Sequence, residues 1–237
     1  MSEAGMEENS IKNYDIESWQ EVILIYRSAL KQVETKMEIL NDEFQHVHQY
    51  NPIEHIKSRI KTPESIVRKL NRYGSEPTIS NMVDQVNDIA GIRLICSFTS
   101  DIYELANIIA QQKDIHVLSV KDYIRYPKQS GYRSYHMIIT IPVYLTEKTV
   151  RTKVEIQIRT VAMDFWASLE HKIKYKFEGT IPEEFRDELL ACSKMVADLD
   201  SRMETINVAI QDLNQKEEDE EDVMKAIESK NNGDDPS

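Results

Sequence analysis

The sequence lacks the features that mark membrane, secreted and disulfide-stabilised proteins. None of its apolar runs is long enough to span a bilayer, and the charged N-terminus MSEAGMEENS is not a secretion signal. Only two cysteines occur among 237 residues, and both Cys96 and Cys192 lie within apolar patterns. This arrangement favours buried free thiols in a reducing compartment over a disulfide bond. The sequence therefore predicts a cytoplasmic protein that is not bound to a membrane.

Familiar motifs of phosphate binding, metal binding and nucleophilic catalysis are absent as well. Neither GxxxxGK[ST] nor GxGxxG occurs, so neither a P-loop nor a Rossmann phosphate site is indicated. There is no CxxC or HExxH, and His46 and His48 fit a helix surface better than a zinc site. Neither cysteine has an obvious adjacent base, and no Ser/His/Asp elbow occurs. Any chemistry of this chain must therefore rely on other residues.

Positive charge is in short supply, with 29 lysines and arginines against 41 acidic residues and a formal net charge of −12. An acidic body argues against DNA binding, which depends on neutralising phosphates with Lys and Arg. A phosphate site would have to be a local basic pocket. Residues 216–237 hold nine acidic and three basic residues, including EEDEED, and predict an acidic disordered tail. Its simplest role is solubility, with partner binding as the alternative, and residues 1–14 are also predicted to be disordered.

Long helices are predicted at both ends of the chain. From Asp15 to His48 the apolar residues recur alternately three and four positions apart, which is a heptad seam. The same spacing returns from Phe185 to Leu213, after Pro182 at a favourable helix start. The sequence thus predicts an N-terminal helix over 15–50 and a C-terminal helix over 182–215. The seams can pack within one subunit or across a subunit interface, and the pattern leaves both open.

A mixed sheet is predicted between these helices, in a core over residues 51–178. Strands are indicated by alternating apolar residues in GIRLICSF, around 116–120, in HMIITIPV and in KVEIQIRT. One helix begins at Thr62-Pro63-Glu64 and stops at Gly74, and another covers about 101–112. The order β, α, β, β, β flanked by helices is typical of an α+β fold. We therefore expect a single domain over residues 15–215.

Charged side chains collect on the polar faces of two predicted strands. In KVEIQIRT, Glu155, Gln157 and Arg159 point away from the apolar face. A second strand begins near Asp88, and the two carboxylates can together hold Mg²⁺, a hard cation that prefers carboxylate and phosphate oxygens. Basic residues before and after these strands can clamp a polyphosphate. Surface salt bridges are the alternative for any one pair, but they explain the whole set less well.

The segment SGYRSYH carries unusual side chains for a strand entry. Tyr132 follows Gly131 and is flanked by cations, an arrangement that suits stacking on a nucleobase. The alternative is a tyrosine packed at a strand end with its hydroxyl hydrogen-bonded. The loop alone does not decide between the two.

Four segments, in this order, resemble the successive motifs of the small alarmone synthetases: RIKTPESIVRKL, DIAGIRLICSF, DYIRYPKQSGYRSYH and VEIQIRTVAMDFWASLEHKIKYK. This family is similar to the synthetase domain of the long RelA/SpoT-type enzymes, and NPIEHIKSRIK and AMDFWASLEHKI resemble its RelP-type members. The likeness spans roughly residues 51–176 and is weaker in the terminal helices. Any one motif is weak, whereas four in the right order are specific.

The resemblance implies both an activity and an architecture. The activity is that of a Mg²⁺-dependent GTP/GDP pyrophosphokinase of the stringent response, which transfers pyrophosphate from ATP to the 3′-hydroxyl of GDP or GTP. AMP leaves, and ppGpp or pppGpp is the alarmone product. The architecture is a nucleotidyltransferase-like fold, assembled in the short enzymes as a homotetramer.

Site residues follow from the motif positions. The resemblance assigns ATP binding to Arg59, Lys61, Ser65, Lys69 and Arg93, with the two arginines on either side of the adenine. It assigns catalysis to Glu155, Asp88 and Gln157, of which Asp88 and Glu155 bind the metal. It assigns GDP or GTP binding to Lys121, Lys128, Tyr132, Arg133, His136 and Asp164.

Asp164 departs from the family pattern, in which many members have asparagine. A carboxylate there can accept hydrogen bonds from N1–H and N2–H of guanine, and a favourable charge at a helix N-terminus is the alternative.

Two other functions would account for part of the sequence. One is a non-catalytic module that binds nucleotides or single-stranded RNA, but a pure anion binder gains nothing from two carboxylates beside phosphates. The other is a helical oligomerisation protein, which leaves the cation clusters unexplained.

Overall fold

The chain is built on one sheet of five strands. The computed structural model describes residues 18–48, 50–176 and 182–231, with side chains at 18–48, 50–174 and 182–215. Its elements, in chain order, are α1 (Trp19–Val47), β1 (Ile53–Ile60), α2 (Pro63–Arg72), α3 (Ile79–Gln85), β2 (Ala90–Cys96), α4 (Thr99–Ala110), β3 (His116–Asp122), β4 (Tyr135–Tyr144), β5 (Thr149–Thr160), α5 (Val161–Lys176) and α6 (Glu183–Asn231). The α+β prediction with long terminal helices is confirmed.

The sheet is mixed, with strand order β1-β2-β5-β4-β3. Strands β2 and β5 run parallel, and the other neighbouring pairs are antiparallel. The register aligns one residue from each strand in a single row across the sheet, namely Lys57, Arg93, Gln157, His136 and Lys121. Each of these side chains is polar, so this face of the sheet carries the functional groups.

The opposite face is apolar and covered by α1. Val154, Ile156 and Ile158 of β5 are fully buried, as the alternation in KVEIQIRT predicts. From α1, residues such as Tyr26, Val33 and Met37 pack into the same core. Ser18 caps this helix by accepting a hydrogen bond from the backbone N–H of Glu21. The heptad seam of α1 is therefore used within the subunit.

Strand β1 was not predicted, because the sequence analysis named no strand before GIRLICSF. It forms an edge strand antiparallel to β2, with an irregular register between Ile53 and His55. This irregularity breaks the alternation of apolar residues, because Ile53 is followed by Ile56 instead of an apolar residue two positions on. The short helix α3 was also not predicted.

Helix α6 also departs from the sequence analysis in its length and exposure. It continues to Asn231, whereas we expected a helix ending at 215 and a disordered segment from 216. Glutamate and lysine are good helix formers, so an acidic run does not by itself end a helix. Cys192 on this helix is exposed, contrary to expectation, while Cys96 is buried. The predicted disorder at 1–14 and at 232–237 falls outside the described residues.

Within the described ranges, no helix combines the length and the apolarity needed to cross a bilayer.

Candidate active site

Glu155 lies at the centre of the polar face of the sheet and is hydrogen-bonded on both oxygens. His136 Nδ1 lies 3.2 Å from its Oε1, and Gln157 donates to its Oε2 at 2.9 Å. Burial raises the pKa of Glu155, but the hydrogen bonds from His136 and Gln157 outweigh it and hold that pKa below its usual range. The carboxylate is thus ionised at neutral pH in spite of its burial.

A chain of hydrogen bonds leads from Glu155 to Tyr132. An ionised carboxylate can only accept, so Nδ1 of His136 must carry the proton and donate to Glu155. The Tyr132 hydroxyl lies 2.9 Å from Nε2 of His136 and also accepts a short hydrogen bond from Nη2 of Arg159. The ring of His136 thus lies between the tyrosine hydroxyl and the carboxylate.

The first prediction concerns this histidine. A carboxylate base works only when ionised, so activity is retained above the pKa of Glu155 and lost as the pH falls through it. Replacing His136 by alanine removes the ring nitrogen that donates to Glu155 and lowers the pKa of this carboxylate, while burial still raises that pKa. We expect the acidic limb of the kcat/KM–pH profile to move to higher pH. An unmoved acidic limb would mean that another group sets it.

Asp88 lies just before β2 and forms ion pairs with two lysines. Lys61 Nζ is 2.7 Å from its Oδ2, and Lys69 Nζ is 2.9 Å from its Oδ1. Burial raises the pKa of Asp88, but the two ammonium groups outweigh it and lower that pKa overall. The preceding segment is anchored by Lys153, whose Nζ donates to the carbonyls of Val83 and Asp84 and to the side chain of Asn87. The position of Asp88 is therefore fixed from both sides.

The two carboxylates share a cleft of about 210 Å³, whose lining also includes Arg59, Arg93 and Gln157. The charge on Asp88 acts to raise the pKa of Glu155, which places the two carboxylates within electrostatic reach. Among the described residues no group of three or more His, Cys, Asp and Glu side chains forms a metal cage. Mg²⁺ is usually held by one or two carboxylates plus phosphate oxygens, and this donor set fits that mode.

The donor cluster, defined as Arg59, Lys61, Ser65, Lys69 and Arg93, lies along one side of this cleft. Arg59 is exposed on β1 opposite Gly91 of β2. Ser65 follows the helix cap, and its backbone N–H already donates to the Thr62 hydroxyl at 3.3 Å. Lys61 and Lys69 converge on Asp88, and Arg59 and Arg93 line the same cleft.

The acceptor loop, residues 123–134, lies on the other side of Glu155. Lys128 Nζ lies 4.7 Å from the ring centroid of Tyr132 and 4.6 Å from that of Tyr123. Gly131 has φ of +87°, and a Cβ there would come within 2.6 Å of Ser193 Cβ on α6. Ser193 is buried and donates to the Gly131 carbonyl, so α6 fixes the bend that presents Tyr132.

Arg133, Lys121 and Asp164 complete the predicted acceptor residues. Arg133 turns away from Glu155, donates to the carbonyl of Ile124 and lines a separate cavity against α6. Lys121 is exposed, at the end of the polar row. Asp164 lies in the first turn of α5 and is held by Arg93 and Arg159 at 3.0 and 3.1 Å.

Arg159 and Tyr123 are the residues that the sequence analysis left without a role. The alternation of β5 put Arg159 on the polar face, but the pattern did not show that its side chain would be buried. Tyr123 packs edge-on against both Tyr132 and His136. An aromatic residue in a lysine- and arginine-rich loop was the available signal.

Comparison with known proteins gives consistent results. Residues 58–180 match the family described as the region found in RelA / SpoT proteins. The GTP pyrophosphokinase YwaC of Bacillus subtilis is 50% identical over 188 residues, covering 79% of this chain and 90% of that protein. The GTP pyrophosphokinase YjbM of the same organism is 34% identical over 198 residues, covering 84% of this chain and 92% of that protein.

The solved structures agree in fold. The small alarmone synthetase 1 from Bacillus subtilis, bound to its product pppGpp, matches with a TM-score of 0.76 and 34% identity over 81% of this chain and 98% of that chain. The small alarmone synthetase 2 from the same organism matches with a TM-score of 0.74 and 47% identity over 81% of this chain and 98% of that chain. The resemblance inferred from the four motifs is confirmed. This chain belongs to the RelA/SpoT family and has the fold of the small alarmone synthetases.

Proposed function

We propose that this protein transfers the pyrophosphate group of ATP to the 3′-hydroxyl of GDP or GTP and releases AMP. The observation that carries the proposal is the position of Glu155, between the donor cluster and the acceptor loop. A base at this place lies where two nucleotides, one in each subsite, would meet. Two structures of the small alarmone synthetase 1 from Bacillus subtilis support the substrate pair, since one holds the product pppGpp and the other holds AMPCPP.

The chain's own residues account for the steps of the transfer. The 3′-oxygen of the acceptor attacks the β-phosphorus of ATP, the bond from that phosphorus to the α–β bridging oxygen breaks, and AMP departs. The carboxylate of Glu155 takes the proton of the 3′-hydroxyl, and His136 and Gln157 hold it in the ionised form that this requires. Lys61 and Lys69 supply positive charge where the triphosphate lies.

Orientation of the substrates accounts for the rest. In this proposal Arg59 and Arg93 enclose the adenine, and Tyr132 stacks on the guanine. Lys121 is paired with His136 across β3 and β4, and burial and the charge of Lys121 both lower the pKa of Lys128. The two lysines are therefore close together and suit the acceptor's phosphates. Holding both nucleotides in line converts an encounter of two molecules into a local reaction. Asp88 and Glu155 would hold Mg²⁺, which when bound offsets the negative charge of the phosphoryl oxygens.

One assay tests the function directly. Purified protein with Mg²⁺, ATP and GDP is expected to produce AMP and a guanosine nucleotide heavier by one pyrophosphate group, both detected by chromatography and mass spectrometry. Release of ADP or inorganic phosphate in place of AMP would contradict the proposal. Nucleotide or RNA binding without any turnover would support the non-catalytic module instead.

The second prediction concerns Tyr132. Replacing it by alanine removes the stacking surface, worth about 1–3 kcal/mol per base in comparable cases, so the acceptor KM is expected to rise about ten- to a hundredfold. The KM for ATP is expected to change much less. Tyr126, which is 72% exposed in the same loop, is the matched control, and its alanine variant should behave as wild type. Equal increases in both KM values would argue against stacking.

Assembly as a homotetramer is part of the same proposal. The seam of α6 that we predicted from the sequence is not buried within the subunit, since Leu199, Ile206, Ile210 and Leu213 are 52%, 52%, 51% and 59% exposed. On α5, Phe165 adds to the exposed apolar surface. An apolar stripe of this length is typical of a subunit interface. Light scattering after gel filtration tests it, and a monomer mass would contradict it.

A further inference from the structure

The carboxylate of Asp164 accepts hydrogen bonds from two arginines. The residue is 9% exposed, and its Oδ1 accepts hydrogen bonds from Nη1 of Arg93 at 3.0 Å and from Nη1 of Arg159 at 3.1 Å. Lys57 Nζ is 3.7 Å from its other oxygen. The two arginines come from the neighbouring parallel strands β2 and β5. One side chain therefore joins the donor cluster to the strand that carries Glu155.

Arg159 extends this connection to the acceptor loop. Its side chain is buried, and it donates to the hydroxyl of Tyr132, to Oε1 of Gln157 at 3.0 Å and to Oγ of Ser134 at 3.3 Å. Its guanidinium also lies 5.0 Å from the ring centroid of Tyr132. With four partners of its own, Arg159 is held firmly in place, and Tyr132 is held through it.

Arg93 is less well held. Within the part of the chain that the structure describes, its hydrogen bonds go to Asp164 alone, and its buried Nε has no partner. Burial and the nearby charge of Arg159 both lower the pKa of Arg93, and Asp164 opposes them. Loss of the carboxylate charge would leave two guanidinium groups repelling each other. Arg93, with the fewer partners, is the one that would move.

We propose that Asp164 and Arg159 are positioning residues that couple the two nucleotide subsites. Asp164 fixes Arg93 on the donor side, and Arg159, anchored on Asp164, fixes Tyr132 on the acceptor side. A nucleotide on Arg93 restrains the carboxylate, the second arginine and the tyrosine together, so the other nucleotide meets a site that is already ordered. This inference rests on the proposed function, and it gives Asp164 a role other than direct contact with guanine.

The coupling can be measured without turnover. Isothermal titration calorimetry gives the Kd of GDP with and without a saturating ATP analogue that has a methylene group between the α- and β-phosphorus, with Mg²⁺ throughout. For the wild type we expect the analogue to tighten GDP binding about tenfold, and GDP to tighten analogue binding by the same factor. For Asp164→Asn we expect a ratio near one, together with about tenfold weaker binding of the analogue alone.

Weaker binding of the analogue separates this role from guanine recognition. If Asp164 contacted guanine, the Asp164→Asn variant would lose affinity for GDP and keep its affinity for the analogue. That result would overturn the proposal. So would a wild type without coupling, or a variant that binds both nucleotides more weakly and keeps the ratio, because a merely structural defect would leave the ratio in place.

Two further variants keep the test decisive. Asp101 is a buried carboxylate in the first turn of α4, as Asp164 is in α5, so Asp101→Asn matches the charge loss and should keep the coupling ratio. Tyr132→Phe keeps the ring for stacking and removes the hydroxyl that meets Arg159. It should lower the ratio even if Asp164→Asn does not fold, and an undiminished ratio in Tyr132→Phe would overturn the proposal.

Failure of the inference and failure of the proposed function look different. If the wild type releases AMP from ATP and GDP but shows no coupling, the proposed function holds and the proposed coupling is wrong. A wild type that makes no pyrophosphorylated product loses the function, whatever the binding data show.

Discussion

Replacing Glu155 by glutamine is expected to lower kcat by about a thousandfold, which is within the range that general-base catalysis contributes. Glutamine has nearly the same shape, and an amide in this position cannot take a proton or offer an anionic oxygen to a metal. The partners His136 and Gln157 remain, so the strand and its register should be unchanged. Rate measurements with saturating ATP and GDP give kcat, and a thermal unfolding curve gives the Tm that shows whether the fold is unchanged.

Glu54 provides the matched control for this variant. It lies on a strand of the same sheet, accepts a hydrogen bond from Ser97, and is exposed at the edge away from the cleft. Its glutamine variant should keep full activity. A folded Glu155→Gln protein with near wild-type kcat would remove Glu155 from the proton transfer and leave the reaction to positioning and charge alone.

Local patterns in the sequence predicted much of the fold. Thr62 followed by Pro63 indicated the start of α2, and the Thr62 side chain caps that helix. The alternation in KVEIQIRT separated Glu155 and Gln157 from the buried isoleucines correctly. These features depend on residues close together in the chain, which a pattern records. The irregularity in β1 disturbs that same alternation, and the strand was missed for this reason.

The register between strands could not be predicted from the sequence pattern. Lys57, Arg93, Gln157 and His136 lie in one row because of pairings between strands far apart in the chain. The loop before β4 does not have the period of two of a strand. Residues 131–134 precede the strand, and there Tyr132 reaches His136 while Arg133 donates to the carbonyl of Ile124. The sequence pattern therefore did not separate Arg133 from the other acceptor residues.

The contacts of Asp164 could not be predicted from the sequence either. Resemblance to a family supplied a position and a ligand, but the contacts of a side chain depend on its neighbours. Two arginines from β2 and β5 converge on this carboxylate only because those strands are parallel and adjacent. Neither the sequence nor the motif order contains that adjacency.

Replacing Asp88 by asparagine is expected to have the second largest effect, a loss of about a hundredfold in kcat with a higher Mg²⁺ requirement. The carboxylate neutralises Lys61 and Lys69, whose side chains are only 17% and 24% exposed. Asparagine cannot balance these charges, so both lysines should shift, and the proposed metal site loses one of its two carboxylates. Activity measured across a Mg²⁺ titration reports both consequences.

The titration also distinguishes the two roles of Asp88. If it binds Mg²⁺, the concentration for half-maximal activity should rise about tenfold or more. If it only orients the lysines, kcat should fall while that concentration stays as in the wild type. Asp114, which pairs with Lys36 at 2.9 Å away from the cleft, is the matched control, and Asp114→Asn should leave both quantities unchanged. An unaltered Mg²⁺ requirement in Asp88→Asn would confine the metal to Glu155 and the nucleotide phosphates, because these would then be the oxygens left to hold it.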